Sequence, residues 1–229
     1  TLMVTTRFPN DAKQRYAAIA DYQKWSNRLH IFGLDLRNIM QIEQFINQVY
    51  QDYNHLDIII NNAAQTISRP IAFYQHLLKN EENNYLINTQ SNNTQISIFK
   101  QYFPAQQLDK DAQQIDLRPH NSWVSKLEEV DLREMLEVQL VNVTAPFLLN
   151  SRLKPLLLKS PFKDKFIVNV SAMEGQFYRK NKTIFHPHTN MAKAALNMLT
   201  HTSAATFAKS GIYMNAVDTG WVTDEDPAE

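Results

Sequence analysis

The chain contains no cysteine, which excludes disulfides, thiolate metal sites and a cysteine nucleophile. Neither sign of charge is in surplus, since Lys+Arg and Asp+Glu both number 23. That balance offers nothing to attract nucleic acid or an acidic membrane, and neither is expected as a partner. No apolar run approaches the roughly 18 residues that a transmembrane helix needs. The opening Thr1-Leu2-Met3-Val4-Thr5-Thr6 lacks an initiator Met and a charged n-region, so it does not read as a signal peptide. The expected setting is cytoplasmic. Glycine is scarce, with residues only at 33, 175, 211 and 220. None precedes the first helical stretch, so the chain holds no glycine-rich turn there of the kind that lets a backbone close on a pyrophosphate.

What is present alternates. At 229 residues the chain can bury one sizeable α/β core. Leu2 to Thr6 reads as a strand leaving through Arg7-Phe8-Pro9-Asn10, and Asp11 to Leu29 as a helix. Leu29 to Leu36 reads as a second strand. From Asn38, a natural N-cap, residues Ile39, Ile42, Ile46, Val49 and Tyr53 share one helical face. Leu56 to Ile60 is a continuous apolar run, as in strands buried on both faces of a parallel sheet. Residues 80–95 are polar and Asn/Gln-rich and read as a mobile insertion. Asp131-Leu132-Arg133-Glu134 starts a helix that Pro146 should kink. A strand over 165–170, a helix over 190–209 stopped by Gly211, and a strand over 212–217 follow. Strands and helices in this order predict a doubly wound parallel α/β sheet.

Strand 165–170 runs into Ser171-Ala172-Met173-Glu174-Gly175, then a loop, then a helix expected to open near Asn190 with Lys193 in its first turn. This stretch resembles the catalytic edge of the short-chain dehydrogenase/reductase family. Asp35, Asn61-Asn62-Ala63-Ala64, Asn142, Lys193-Ala194-Ala195-Leu196 and Val217-Asp218-Thr219-Gly220-Trp221-Val222-Thr223 resemble further family motifs, in the family's order. The resemblance implies a single Rossmann-like domain over 1–229, truncated before the family's second strand, with an insertion around 66–125. It implies a gap at the sheet's centre, where the family's first strand lies. It also implies NADP as cofactor, with NAD the alternative, and a small carbonyl or alcohol as substrate. Cofactor-binding residues would be Asp35, Asn62, Ala63, Lys193 and Thr223, with Arg7 placed to meet a 2′-phosphate. Asn142 would hold a water beside Lys193.

The departures bear on the chemistry. Where the family has a Tyr four residues before its Lys, this chain has Thr189, and Ala172 stands where the catalytic Ser belongs. A Thr hydroxyl ionises far above the phenol value of about 10. Ser171 is one residue out of register, which in a strand turns it to the opposite face. His188 titrates near neutrality and is the expected substitute proton donor, with Tyr178 a second candidate. Asn142, Ser171, His188, Thr189 and Lys193 are therefore the candidate catalytic set. His186 and His188, with no cysteine and no carboxylate pair nearby, are not expected to bind a metal. The insertion reads as a lid, a homo-oligomer contact or a plain surface excursion. Two functions stay open: an NAD(P)-dependent oxidoreductase, or a catalytically inactive relative that binds nucleotide or serves a structural role.

Overall fold

The computed structural model describes the chain except residues 79–80, 82–99, 106, 110–112, 179, 181, 221–226 and 228–229. Thr223 and all of the 80–95 run except Glu81 lie outside the described residues. The chain forms two compact units, one of Thr1–Asp35, Arg69–Pro119 and Pro227–Glu229, the other of Leu36–Ser68 and His120–Asp226.

In the first unit, strand β1 (Leu2–Thr6) pairs in parallel with β2 (Leu29–Gly33), from Leu2 opposite Leu29 to Thr6 opposite Gly33. Helix α1 (Pro9–Ala17) begins on a proline, which needs no N–H partner in the first turn. Glu81 supplies what that turn lacks, its Oε1 accepting from the amides of Asn10 and Asp11 at 2.9 and 3.1 Å. The helix expected to reach Leu29 stops at Ala17 and gives way to 3₁₀ turns over Tyr22–Lys24 and Ser26–Arg28. The cause is Trp25, which packs edge-on against Tyr16 and Tyr22 and donates its indole N–H to Asp21. β2 also ends earlier than expected, at Gly33.

The stretch expected as an insertion has buried side chains. Ala72 and Phe73, just before the short helix α2 (Gln75–Leu78, taken with this unit), cluster with Phe103 against Tyr74 and Tyr102. Arg69 lies over the Phe73 ring and Arg118 over that of Phe103, 4.5 and 5.6 Å from the centroids. Asp116 pairs with both arginines.

In the second unit, helix α3 (Ile39–Asp52) is capped by Asn38, whose Oδ1 accepts from the Gln41 amide at 3.2 Å, and it buries Ile42, Ile46 and Val49 as its spacing predicts. Strands β3 (Ile58–Asn61), β4 (Lys165–Ser171) and β5 (Ile212–Asp218) form a parallel sheet in that order. The expectation that β3 is buried on both faces is corrected. Ile59 and Asn61 are buried, but Ile58 and Ile60 are 55% and 62% exposed. Phe166 and Tyr213 are exposed beside them, so among the described residues one face of this sheet is covered and the other open.

Helix α4 (Leu132–Gln139) starts at the expected cap, Asp131, which accepts from the Arg133 and Glu134 amides. It widens into a π-helical segment, Leu140–Thr144, then resumes as α5 (Ala145–Arg152). Pro146, in the first turn of α5, has no N–H to continue the α ladder, which is where the expected irregularity falls. Helix α6 (Lys154–Leu158) precedes β4, and helix α7 (Pro187–Ala208) precedes β5. α7 opens three residues earlier than read from the sequence, because His186 turns the chain with φ +40° and Pro187 supplies a preset first residue. Lys193 consequently sits in the second turn. Gly211, at φ +69°, makes the sharp exit that a side chain would strain. No helix among the described residues is long and apolar enough to cross a membrane.

Candidate active site

The site is built at the carboxyl ends of β3, β4 and β5, where open α/β sheets bind ligands. β3 ends at Asn61, and the next four residues turn outward with Asn62 and Ala63 exposed. Asn142, buried in the π segment, grips this turn like a neighbouring strand. Its Oδ1 accepts from Gln65 N at 2.7 Å and its Nδ2 donates to Gln65 O at 2.9 Å. Thr189 of α7 reaches the next residue, its hydroxyl 3.4 Å from Thr66 O. Asn142 and Thr189, far apart in sequence, thus hold consecutive positions of one turn.

Lys193 lies across from them and is 7% exposed, its Nζ donating to Val170 O at 2.9 Å. Burial pushes its pKa below the usual lysine value, opposed by the Asp218 carboxylate. Asp218 ends β5 opposite Ser171, the last residue of β4. The Ser171 side chain is buried on the same face as Ile167 and Asn169, with its hydroxyl 3.4 Å from Lys193 O. Gly175 is set against the same turn of α7. A Cβ there would come within 2.6 Å of Lys193 C and 2.8 Å of Lys193 O. Gly175→Ala is therefore expected to cost about 1–3 kcal/mol, the usual penalty of overpacking. An unchanged melting temperature would show that α7 yields there freely.

Arg7 and Asp35 belong to the first unit. The Arg7 guanidinium lies over the rings of Tyr74 and Phe8, 4.6 and 5.4 Å from their centroids. Asp35 is half-buried.

His188 is 2% exposed, and neither ring nitrogen has a hydrogen-bond partner among the described residues. Burial, reinforced by neighbouring His186, lowers its pKa to about 4, so it is neutral at physiological pH. Its Nε2 is 3.9 Å from Glu134 Oε1. Tyr178 is fully exposed. Among the described residues no group of three or more His, Asp or Glu is arranged to hold a metal ion.

Several residues that hold this site went unread in the sequence. Glu134 Oε1 accepts from Ser68 N at 2.6 Å and from the Ser122 hydroxyl. Glu137 Oε2 accepts from Gln65 Nε2 at 3.1 Å and Ser68 Oγ at 3.3 Å. Beneath the turn runs a buried amide network. Asn61 Nδ2 donates to Asn150 Oδ1 and Asn169 Oδ1 at 2.8 and 2.7 Å, and Asn169 Nδ2 donates to Thr200 Oγ1 at 2.9 Å. Asn61 therefore faces inward, while its neighbour Asn62 is outside. The readable signals were the three-residue spacing of Glu134 and Glu137 on one helix face, and an Asn in the middle of an apolar strand.

Residues 1–107 match the family described as short chain dehydrogenase, and residues 105–228 that described as Enoyl-(Acyl carrier protein) reductase. The chain belongs to the short-chain dehydrogenase/reductase family. An uncharacterised protein of Acanthamoeba polyphaga mimivirus is 29% identical over 215 residues, which are 87% of this chain and 44% of that one. A short-chain dehydrogenase from Streptomyces avermitilis superposes with a TM-score of 0.63 at 18% identity, covering 100% of this chain and 61% of its own. A metagenomic short-chain oxidoreductase in complex with NADP gives 0.61 at 16% identity, covering 96% and 71%. A 7α-hydroxysteroid dehydrogenase complexed with NADH and 7-oxo glycochenodeoxycholic acid gives 0.59 at 13% identity, covering 95% and 60%. The fold is thus the Rossmann-like α/β fold of short-chain oxidoreductases. The chain spans less than half of the viral relative and about three-fifths of the first of these structures.

Proposed function

We propose that the chain carries the nicotinamide- and substrate-facing edge of an NAD(P)-dependent oxidoreductase, acting on a small carbonyl or alcohol in the cytoplasm. The observation that carries this reading is the meeting of Asn142 and Thr189 on residues 65–66, with the buried amine of Lys193 at the end of β4. The residues present fit one end of such a cofactor. Lys193 has an ammonium in a poorly solvated place that can turn from Val170 O to ribose hydroxyls, and Asn142 fixes the turn of Asn62 and Ala63 that would line the ribose. Residues 1–32 contain no glycine and so offer no turn on which a pyrophosphate could close. Bound nicotinamide would supply hydride exchange with the substrate carbon. The chain's own part is to orient the ribose, exclude water and manage the substrate proton.

A second reading, a catalytically silent relative with a structural or nucleotide-binding role, is favoured by a specific observation. The polar atoms of Asn142, Ser171, Thr189 and Lys193 all turn toward main-chain groups of the protein itself. Calorimetric titration with NADPH and with NADH tests for the cofactor, and NADPH consumption on small aldehydes and ketones separates the readings, since a silent relative can bind nucleotide but turns none over. Under the first, a nucleotide binds and Lys193→Met weakens it by about 1.5–3 kcal/mol, the worth of a charge-assisted hydrogen bond. Binding that Lys193→Met leaves untouched, or no binding of either nucleotide, would leave the silent reading standing.

A further inference from the structure

A short segment of the second unit, residues 120–125, packs on the residue that opens α7. We infer that residues 120–125 form a latch closed over the first turn of α7, and that His188 and Thr189 become reachable when it lifts.

The segment is folded on itself. The Trp123 amide donates to Asn121 Oδ1 at 2.9 Å, Ser125 Oγ donates to Asn121 O at 3.3 Å, and His120 Nε2 lies 3.0 Å from Ser125 Oγ. Such internal bonds let it move as one piece. Three attachments to the rest of the second unit lie at the start of α4 and α7. The His186 amide donates to Ser125 O at 2.8 Å. The Trp123 ring stacks on that of His186 with centroids 4.2 Å apart and planes within 8°. The Ser122 hydroxyl donates to Glu134 Oε1.

Behind these contacts His186, His188 and Thr189 are all buried, and neither ring nitrogen of His188 has a hydrogen-bond partner among the described residues. Buried polar atoms are normally satisfied, and exceptions ask for a reason. A latch provides one, because these atoms acquire partners in the open state. His186 is also the one described non-glycine residue with positive φ, at +40°. A backbone held in that region persists only where surrounding contacts impose it, and such strain collects at switching segments. Trp123 and Ser125 both contact that residue.

What the latch admits, a small carbonyl or alcohol, rests on the oxidoreductase reading, but its opening is measured without cofactor or turnover. Exchange of the imidazole C2 proton of His188 for deuterium, followed by mass spectrometry on the whole chain, reports how often the ring meets water. Trp123→Ala removes a stacked aromatic pair and is expected to speed that exchange about two- to tenfold. Trp123→Phe, which keeps a ring on His186, should return it close to the wild-type rate, and amide exchange in β4 should stay unchanged throughout. Equal His188 exchange in wild type and Trp123→Ala overturns the inference. So does acceleration shared with the β4 amides, which marks general loosening. If Trp123→Ala does not fold, Ser122→Ala decides: faster His188 exchange supports the latch and an unchanged rate rejects it.

Discussion

On the oxidoreductase reading, Thr189→Tyr together with Ala172→Ser is expected to raise NADPH-dependent carbonyl reduction by about 10²–10⁴-fold, the usual worth of a placed general acid. Thr189 is already on the turn of α7 preceding Lys193, and Ala172 directly follows β4. Lys193 is held behind them with a pKa pushed down by burial. What the site lacks is a group whose proton leaves near neutral pH. A Thr hydroxyl cannot supply it, while a phenol beside an ammonium can. The substitution has a cost. Thr189 is buried, and an added ring there should cost about 1–3 kcal/mol through overpacking. The informative measurement is NADPH consumption with a panel of small aldehydes and ketones, alongside a melting curve. A double variant that folds and binds NADPH yet turns over no faster would show that Lys193 and Asn142 are not disposed for this chemistry.

Acidification from about pH 6.5 to about pH 4 should remove about 3 kcal/mol of stability through His188 alone. The sign follows from where the proton sits. In the folded chain burial holds the imidazole neutral down to about pH 4, whereas in the unfolded chain it takes up a proton near 6.5. Between those values the unfolded state binds the extra proton, so stability falls as pH falls, and the loss levels off below about 4. His186, whose pKa is also lowered by burial, adds to the same slope. Denaturant unfolding of wild type and His188→Gln across this range isolates the contribution, since the variant has no ring to titrate. Parallel curves for the two proteins would mean that water reaches the ring in the native state.

The repeating part of the fold was legible in the sequence, because helix caps and apolar spacing act locally. Asn38, Asp131 and Gly211 each mark a helix end by chemistry confined to a few residues. The limits of α1 were not legible, because Trp25 ends that region through ring contacts that no helix propensity encodes. β3 misled for a related reason: an apolar run shows what a strand can bury, not which of its faces is covered. At the site, Asn142, Thr189 and Lys193 could be found by their order along the chain. For Glu134, Glu137 and the Asn61–Asn150–Asn169 network the sequence holds only a hint, a shared helix face and an Asn inside an apolar strand, since their partners come from elements distant in sequence. The paired rings of Trp123 and His186 are of the same kind, two residues that spacing alone never brings together.

The π segment at Leu140–Thr144 fits one more residue into a turn than an α-helix would. Relative to an unbroken α-helix with the same cap, every position past that segment is rotated by about 100° around the helix axis. Counted from the Asp131 cap on an unbroken α-helix, the grip on Gln65 would be assigned to a neighbour of Asn142, and a variant designed on that count would probe the wrong side chain.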